Sequence, residues 1–163
     1  MKELMLQYAS YNLWAHKQLL KPVLQLSEEQ VMMPLNSSFA SVHATLLHLW
    51  DAEAIWWQRV NMKEKVDVPS LSFNPVIKEV ADGLLAQSTE WLNWVSDAKE
   101  LMLQHEFMYR NSKKEQFKQP TWQVLLHMFN HATYHRGQVV TLLRQLAVKD
   151  IPATDFIAWS RKH

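Results

Sequence analysis

Apolar residues recur at helical spacing along most of this chain, and polar or proline-bearing breaks divide it into four long stretches. The first runs from about Lys2 to Gln25, with Leu4, Tyr8, Tyr11, Ala15 and Leu19 on one stripe. Leu26-Ser27-Glu28-Glu29-Gln30 reads as a short connector with a cap at Ser27, closed by Pro34. A second helix starts near Ser37 or Ser38, good N-cap residue types, and continues through HATLLHLWDAEAIWWQRV. From Met62, MKEKVDVPSLSFNPV is polar, carries two prolines and reads as a loop. A third helix follows from about Val76 to Leu103, tolerating Gly83 inside it. In FMYRNSKKEQFKQP, apolar residues alternate on either side of Asn111-Ser112-Lys113-Lys114, the pattern of a short two-stranded hairpin. Pro120-Thr121 then opens a fourth helix that reaches about Leu146. Last, Ile151 to Asp155 leads into a short helix, DFIAWSRK, capped by Thr154 or Asp155.

Four long amphipathic helices joined by one or two longer crossovers predict an all-α four-helix bundle, an architecture that builds sites from side chains on facing helices. No internal repeat, low-complexity tract or linker interrupts it, so residues 1–163 read as one domain, long enough for one substantial core. Composition narrows the chemistry. Only two glycines, Gly83 and Gly137, are present, which leaves no material for a phosphate-cradling loop or a Rossmann turn. Eight Trp and eight Met fit helices packed through bulky side chains. Cysteine is absent, so disulfides, thiolate metal sites and a cysteine nucleophile are excluded. A net charge of +1 gives no reason to expect nucleic acid or an anionic membrane as partner. No apolar run approaches a bilayer span, and the N-terminus lacks the unbroken apolar core of a signal peptide, so the cytoplasm is the expected location.

The stretch HMFNHATYHRGQVV, residues 127–140, carries the candidate chemistry. Each four-residue step on a helix turns only about 40°, so His127, His131 and His135 rise up one side of the fourth helix. A pair four residues apart can bind one metal, and the pair could be His127/His131 or His131/His135. No glutamate follows the first histidine, which removes the HExxH protease reading, and no Glu-x-x-His occurs for a di-iron bundle. Imidazole ligands suit Zn, Ni, Cu or Fe. A third ligand is expected from the second helix, which offers His43 and His48; His48 sits among bulky apolar residues, where an unpaired imidazole is costly.

HMFNHATYHRGQVVTLLRQ resembles the His-x-x-x-His-Arg-Gly-Gln signature in the fourth helix of the DinB-like superfamily. YNLWAHKQLL resembles that family's first-helix Tyr-Asn-x-Trp-Ala segment, and LLHLWDAEAIWWQR its second-helix histidine followed by an acidic residue and Trp. IPATDFIAW resembles the family's close, so the likeness covers essentially the whole chain. The resemblance implies a four-helix bundle, often dimeric, with a divalent metal held by three histidines. Carried over by position, the ligands are His48, His131 and His135. It implies Zn or Ni first, with Fe or Mn as alternatives, and as partners a small-molecule substrate and a second copy of the chain. Relatives include transferases that use low-molecular-weight thiols such as bacillithiol or mycothiol, and others described only as metal-dependent hydrolases.

The remaining residues are assigned more simply. His127 is expected to line the cavity or support a ligand from outside, and His16, which stands where the family often has Asn, to lie on a helix surface. His43, His105 and His163 are expected on the surface, and Asp51 and Glu53 as surface carboxylates or as partners of the site. Arg136 points about 100° from His135 and is expected to pair with a carboxylate. Gly137 is expected where a neighbouring helix approaches closely, and Trp50, Trp56 and Trp57 in the core or a dimer interface rather than around substrate. Three functions stay open on this reading: a metal-dependent thiol S-transferase or hydrolase, a metal-binding or stress-induced interaction protein without turnover, and a bundle whose histidines are structural.

Overall fold

The computed structural model describes residues 1–72, 75–111 and 113–162. Four long helices carry the fold: α1 (Lys2–Val23), α3 (Val42–Val60), α5 (Ile77–Asp97) and α7 (Thr121–Gln145). Between them lie the short helices α2 (Glu28–Met32), α4 (Pro69–Ser72) and α6 (Glu100–Gln104), and α8 (Phe156–Ser160) ends the chain. Strands β1 (Glu106–Arg110) and β2 (Gln116–Pro120) form the expected antiparallel hairpin, in register from Glu106 opposite Pro120 to Arg110 opposite Gln116. Residue 112 of its turn, and residues 73 and 74 of the expected loop after α3, lie outside the described residues.

Local chemistry sets the boundaries. The connector after α1 is itself a helical turn, because Ser27 and Gln30 cap it reciprocally: Gln30 N donates to Ser27 Oγ, and Ser27 N to Gln30 Oε1. The second long helix starts later than Ser37 or Ser38. Ser41 is its cap, accepting from Ala44 N at 3.0 Å, and residues 36–40 stay outside the helix. The third long helix stops at Asp97 rather than running to Leu103, since Ala98 turns extended before α6 begins. At α8 the cap position is Asp155, but its side chain makes no cap bond. Two C-termini close on left-handed residues that are not glycine, Met62 at φ 54° and Ala147 at φ 59°. The Met62 amide donates to Arg59 O and the Ala147 amide to Arg144 O, which helps satisfy the last turn.

Two packed clusters make up most of the core, and a smaller one joins Tyr11, Ala15 and Trp159. One of the two holds Leu19, Leu46, Leu84 and Leu142 from all four long helices; the other gathers Met5, Trp91, Leu125 and Phe129 towards the opposite end. On α1 Tyr11, Ala15 and Leu19 of the expected stripe are buried, but Leu4 is exposed, and the buried face widens to take in Asn12 and His16. Tyr11 anchors α8, donating to Thr154 O at 2.6 Å and meeting the Phe156 and Trp159 rings edge-on. Among the described residues no helix is long and apolar enough to cross a membrane.

Candidate metal centre

α3 and α7 bring His48, His131 and His135 together, with one ligand atom from each within 4.8 Å of the others. His48 and His131 are half-buried and His135 is buried. His131 Nε2 lies 3.1 Å from His48 Nε2 and 3.1 Å from His135 Nε2. Zinc–imidazole bonds of about 2.0–2.1 Å in tetrahedral geometry separate ligand nitrogens by about 3.3–3.4 Å. The cluster is therefore close to a ligand set in dimension, with the nitrogens drawn slightly together.

The proton inventory tests whether hydrogen bonds alone could explain this convergence. His135 Nδ1 lies 2.7 Å from Gln138 Oε1, and Gln138 Nε2 donates to Ser38 Oγ at 2.8 Å. With the amide oxygen towards the ring, Nδ1 carries the His135 proton and Nε2 of the neutral ring presents a lone pair. His131 Nε2 must then donate to satisfy His135, and its single in-plane proton cannot also be aimed at His48 Nε2. One of the two contacts stays unsatisfied, whereas a cation would satisfy all three lone pairs. The donor set fits a divalent metal.

Electrostatics keep these lone pairs available. Burial, and then the neighbouring charges of His135, His48 and His127, lower the His131 pKa to about 4. Burial followed by His135 also pulls His48 down. The rings are packed in place as well: Phe39, from the segment before α3, stacks on His48 with centroids 4.2 Å apart, and Tyr134 meets His135 edge-on at 5.0 Å.

A second polar cluster lies deeper in the bundle. Glu53 is 1% exposed, and its Oε1 accepts from Asn12 Nδ2 at 2.9 Å and faces His16 Nε2 at 3.0 Å. Its Oε2 accepts from Ser88 Oγ at 2.7 Å. Arg136, also buried, donates to Asn12 Oδ1 and to Thr133 Oγ1 and lies over the Tyr11 ring. One amide therefore connects a buried guanidinium to a buried carboxylate, and α1, α3, α5 and α7 all contribute. The expectation of a helix-surface position for His16 is corrected: Glu53 draws it inside. Glu53 is likewise no surface carboxylate, and Arg136 reaches it through Asn12 rather than directly.

A sequence model of the DinB family matches residues 1–161. This chain belongs to the DinB family. It is 26% identical over 153 residues to Protein DinB of Bacillus subtilis strain 168, covering 90% of this chain and 87% of that protein. This chain also resembles the crystal structure of a DinB-like protein from Bacillus cereus ATCC 10987, with a TM-score of 0.72 at 19% identity over 93% of this chain and 95% of that one. A conserved protein from Enterococcus faecalis aligns with a TM-score of 0.67 at 15% identity, covering 87% and 96%. At those identities the two structures speak for the fold.

Other expectations for this DinB chain need adjusting. His43 is buried and faces Pro75 O at 2.7 Å, so it ties α3 to the start of α5 rather than lying on the surface. His105 is exposed as expected, and residue 163 lies outside the described residues. Asp51 accepts from Ser70 N at 2.9 Å and holds α4. A Cβ at Gly137 would meet nothing within 4 Å, so no helix approaches there; the crowded glycine is Gly83, beneath the Trp50 indole. His127 is exposed one turn from His131, its ring 6.0 Å from His131 and 5.5 Å from Trp56. Gln138 and Asn12 escaped assignment by sequence, although both stand inside the stretches that carried the family resemblance.

Proposed function

We propose that this chain binds a divalent cation through His48, His131 and His135 and acts with it on a small molecule, as a thiol S-transferase or a hydrolase. The observation that supports this reading most is the approach of three Nε2 atoms whose own protons cannot satisfy them all. Imidazole ligands suit Zn, Ni, Cu or Fe, and the family resemblance favours Zn or Ni, with Fe or Mn as alternatives. Three protein ligands leave positions for substrate. Once bound, such a cation would favour the deprotonated form of a thiol or water held beside it and polarise an electrophile. The chain's own groups do the rest. Gln138, itself bonded to Ser38, holds the His135 ring at Nδ1, and Phe39 walls the site beside His48. With no cysteine in the chain, a transferase must take its thiol as a separate low-molecular-weight substrate.

Metal analysis of the purified protein, followed by cobalt loading, tests the reading. One equivalent of metal and a cobalt visible spectrum are expected, with a new near-ultraviolet band on adding a small thiol. Thiol-dependent consumption of an electrophile supports the transferase, and turnover of esters or amides without thiol the hydrolase. Metal uptake with no turnover of either kind would reduce the function to metal binding, and no uptake would end the proposal.

A further inference from the structure

Along the seam between α3 and α7 the three-histidine cluster is followed by a second pair of facing rings, Trp56 and His127. The two helices run antiparallel there: His48 faces His131 and His135, and two turns further along α3 Trp56 faces His127, one turn earlier on α7. Ala52, midway between His48 and Trp56, is small and half-buried. Beyond His127 opens a cleft of about 160 Å³ lined by Trp56, Tyr109, Gln119, Gln123 and His127. Tyr109 is also a wall of a larger groove of about 1030 Å³ beside the hairpin.

Arg59 stands where the two meet. Its guanidinium lies 4.7 Å from the Trp56 ring centre and 5.5 Å from that of Tyr109, and one nitrogen donates to Arg110 O at 3.1 Å. Among the described residues no carboxylate comes within ion-pair range of it. Lys63, Arg110 and Lys118 also line the groove, against Glu64 and Glu106, and Lys118 already holds Glu106 at 2.8 Å. The result is a half-buried arginine, pinned by aromatic faces, with donors to spare and positive surroundings. A planar guanidinium held in this way is preorganised for a bidentate oxyanion.

We propose that Arg59 binds the anionic end, a carboxylate or phosphate, of an elongated substrate whose apolar middle lies against Trp56, Tyr109 and His127 and whose reacting end reaches the three histidines. The reach to His131 rests on the metal-site reading above; oxyanion binding at Arg59 does not. Eleven residues of α3 separate His48 from Arg59, so the substrate spans about 16 Å at the helical rise. Trp56 thereby becomes a wall of the substrate cleft, beyond the packing role its sequence suggests.

Calorimetric titration of the purified protein, with metal and after chelation, tests the anchor with three probes of one shape: phenylbutyrate, phenylbutyl phosphate and neutral phenylbutanol. At least one anion should bind about ten-fold more tightly than the alcohol in both forms, the advantage expected of charge-assisted hydrogen bonds. Whichever anion prevails identifies the oxyanion. Arg59→Gln should erase the advantage, while Arg59→Lys, which keeps charge but loses the planar fork, should retain part of it. Equal binding of all three probes by the wild type, a comparison that needs no variant, would overturn the anchor, as would an undiminished advantage in Arg59→Gln. The link to the histidines is read on cobalt-loaded protein. A mercaptoalkanoate long enough to reach from Arg59 to the histidines should produce the near-ultraviolet band at about ten-fold lower concentration than the matching mercaptoalkanol. Equal potency would overturn the shared-substrate arrangement. Failure to bind cobalt would instead end the metal reading and leave the anchor to stand or fall on the calorimetry.

Discussion

Two clusters in this bundle contain histidine, and they treat it in opposite ways. Around Glu53, each polar group is answered: His16, Asn12 and Ser88 share the carboxylate, and Arg136 closes on the other side of Asn12. Around His131, three imidazole nitrogens face one another with a proton deficit that only an added group resolves. The first cluster is 1% exposed at His16 and Glu53, whereas the second opens to solvent through His48 and His131. Histidine alone therefore carries little information about function. What separates a structural imidazole from a candidate ligand is whether the protein itself completes its hydrogen bonds.

The sharpest way to break the comparison is to delete a ligand. His131→Ala removes the nitrogen central to the cluster, and one-equivalent metal binding by dialysis and elemental analysis should be lost outright. Its urea-denaturation midpoint without metal should change little, because the half-buried ring has only one hydrogen bond to lose. His127→Ala is the control: a residue outside the ligand set should cost at most about 10–100-fold in metal affinity. Equal losses in the two variants would mean that His127 and His131 are the ligand pair on α7.

The opposite profile is expected at Glu53. Glu53→Ala leaves His16, Ser88 and Asn12 without their acceptor and Arg136 without its nearby countercharge, and should destabilise by about 3–5 kcal/mol in urea unfolding. Acid sensitivity should follow. Burial works to raise the Glu53 carboxyl, but hydrogen bonds and attraction from His16, then Ser88 and Asn12, leave it below its ordinary 4.5. Burial holds His16 below its ordinary 6.5 despite the same partner. The unfolded chain thus takes up protons before the folded one does in both cases. Stability is full above about pH 6.5, declines below it, and falls further as pH passes from about 4.5 down through the folded Glu53 value. Glu53→Gln should flatten the lower part of that decline; an unchanged acid profile would show that the carboxylate is not what the fold depends on.

The contrast also explains what could be read from the chain. Four long helices, the hairpin and the last short helix were legible because apolar spacing and turn residues act locally. Helical spacing put His127, His131 and His135 on one stripe but left the α7 pair and the α3 partner open. It was the family resemblance that singled out His48, His131 and His135, the three that converge. The Glu53 network was not legible. Asn12 and His16 look like the polar side of α1, and only partners from other helices turn them inward, which widens the buried face beyond the apolar stripe. Likewise the start of α3 at Ser41 depends on tertiary demands: Ser38 and Phe39 are taken up by Gln138 and His48 rather than by a helix.

The smallest expected effect falls on the residue between the two clusters. Arg136 belongs to the network, His135 and Gln138 to the metal centre, and Gly137 lies among them in the same turn of α7. With open space where its Cβ would be, Gly137→Ala should stabilise by about 0.5–1 kcal/mol, since the glycine adds backbone freedom without relieving a contact. Gly83→Ala is the matched opposite: its Cβ would fall 2.3 Å from the Trp50 indole, which must move, so the midpoint should drop. Metal affinity decides what Gly137 is for. If it is unchanged in the stabilised variant, the glycine is incidental to both clusters. If affinity falls while stability rises, the turn that joins His135 to Arg136 needs its backbone freedom to close the ligand set, and the two clusters are mechanically coupled through α7.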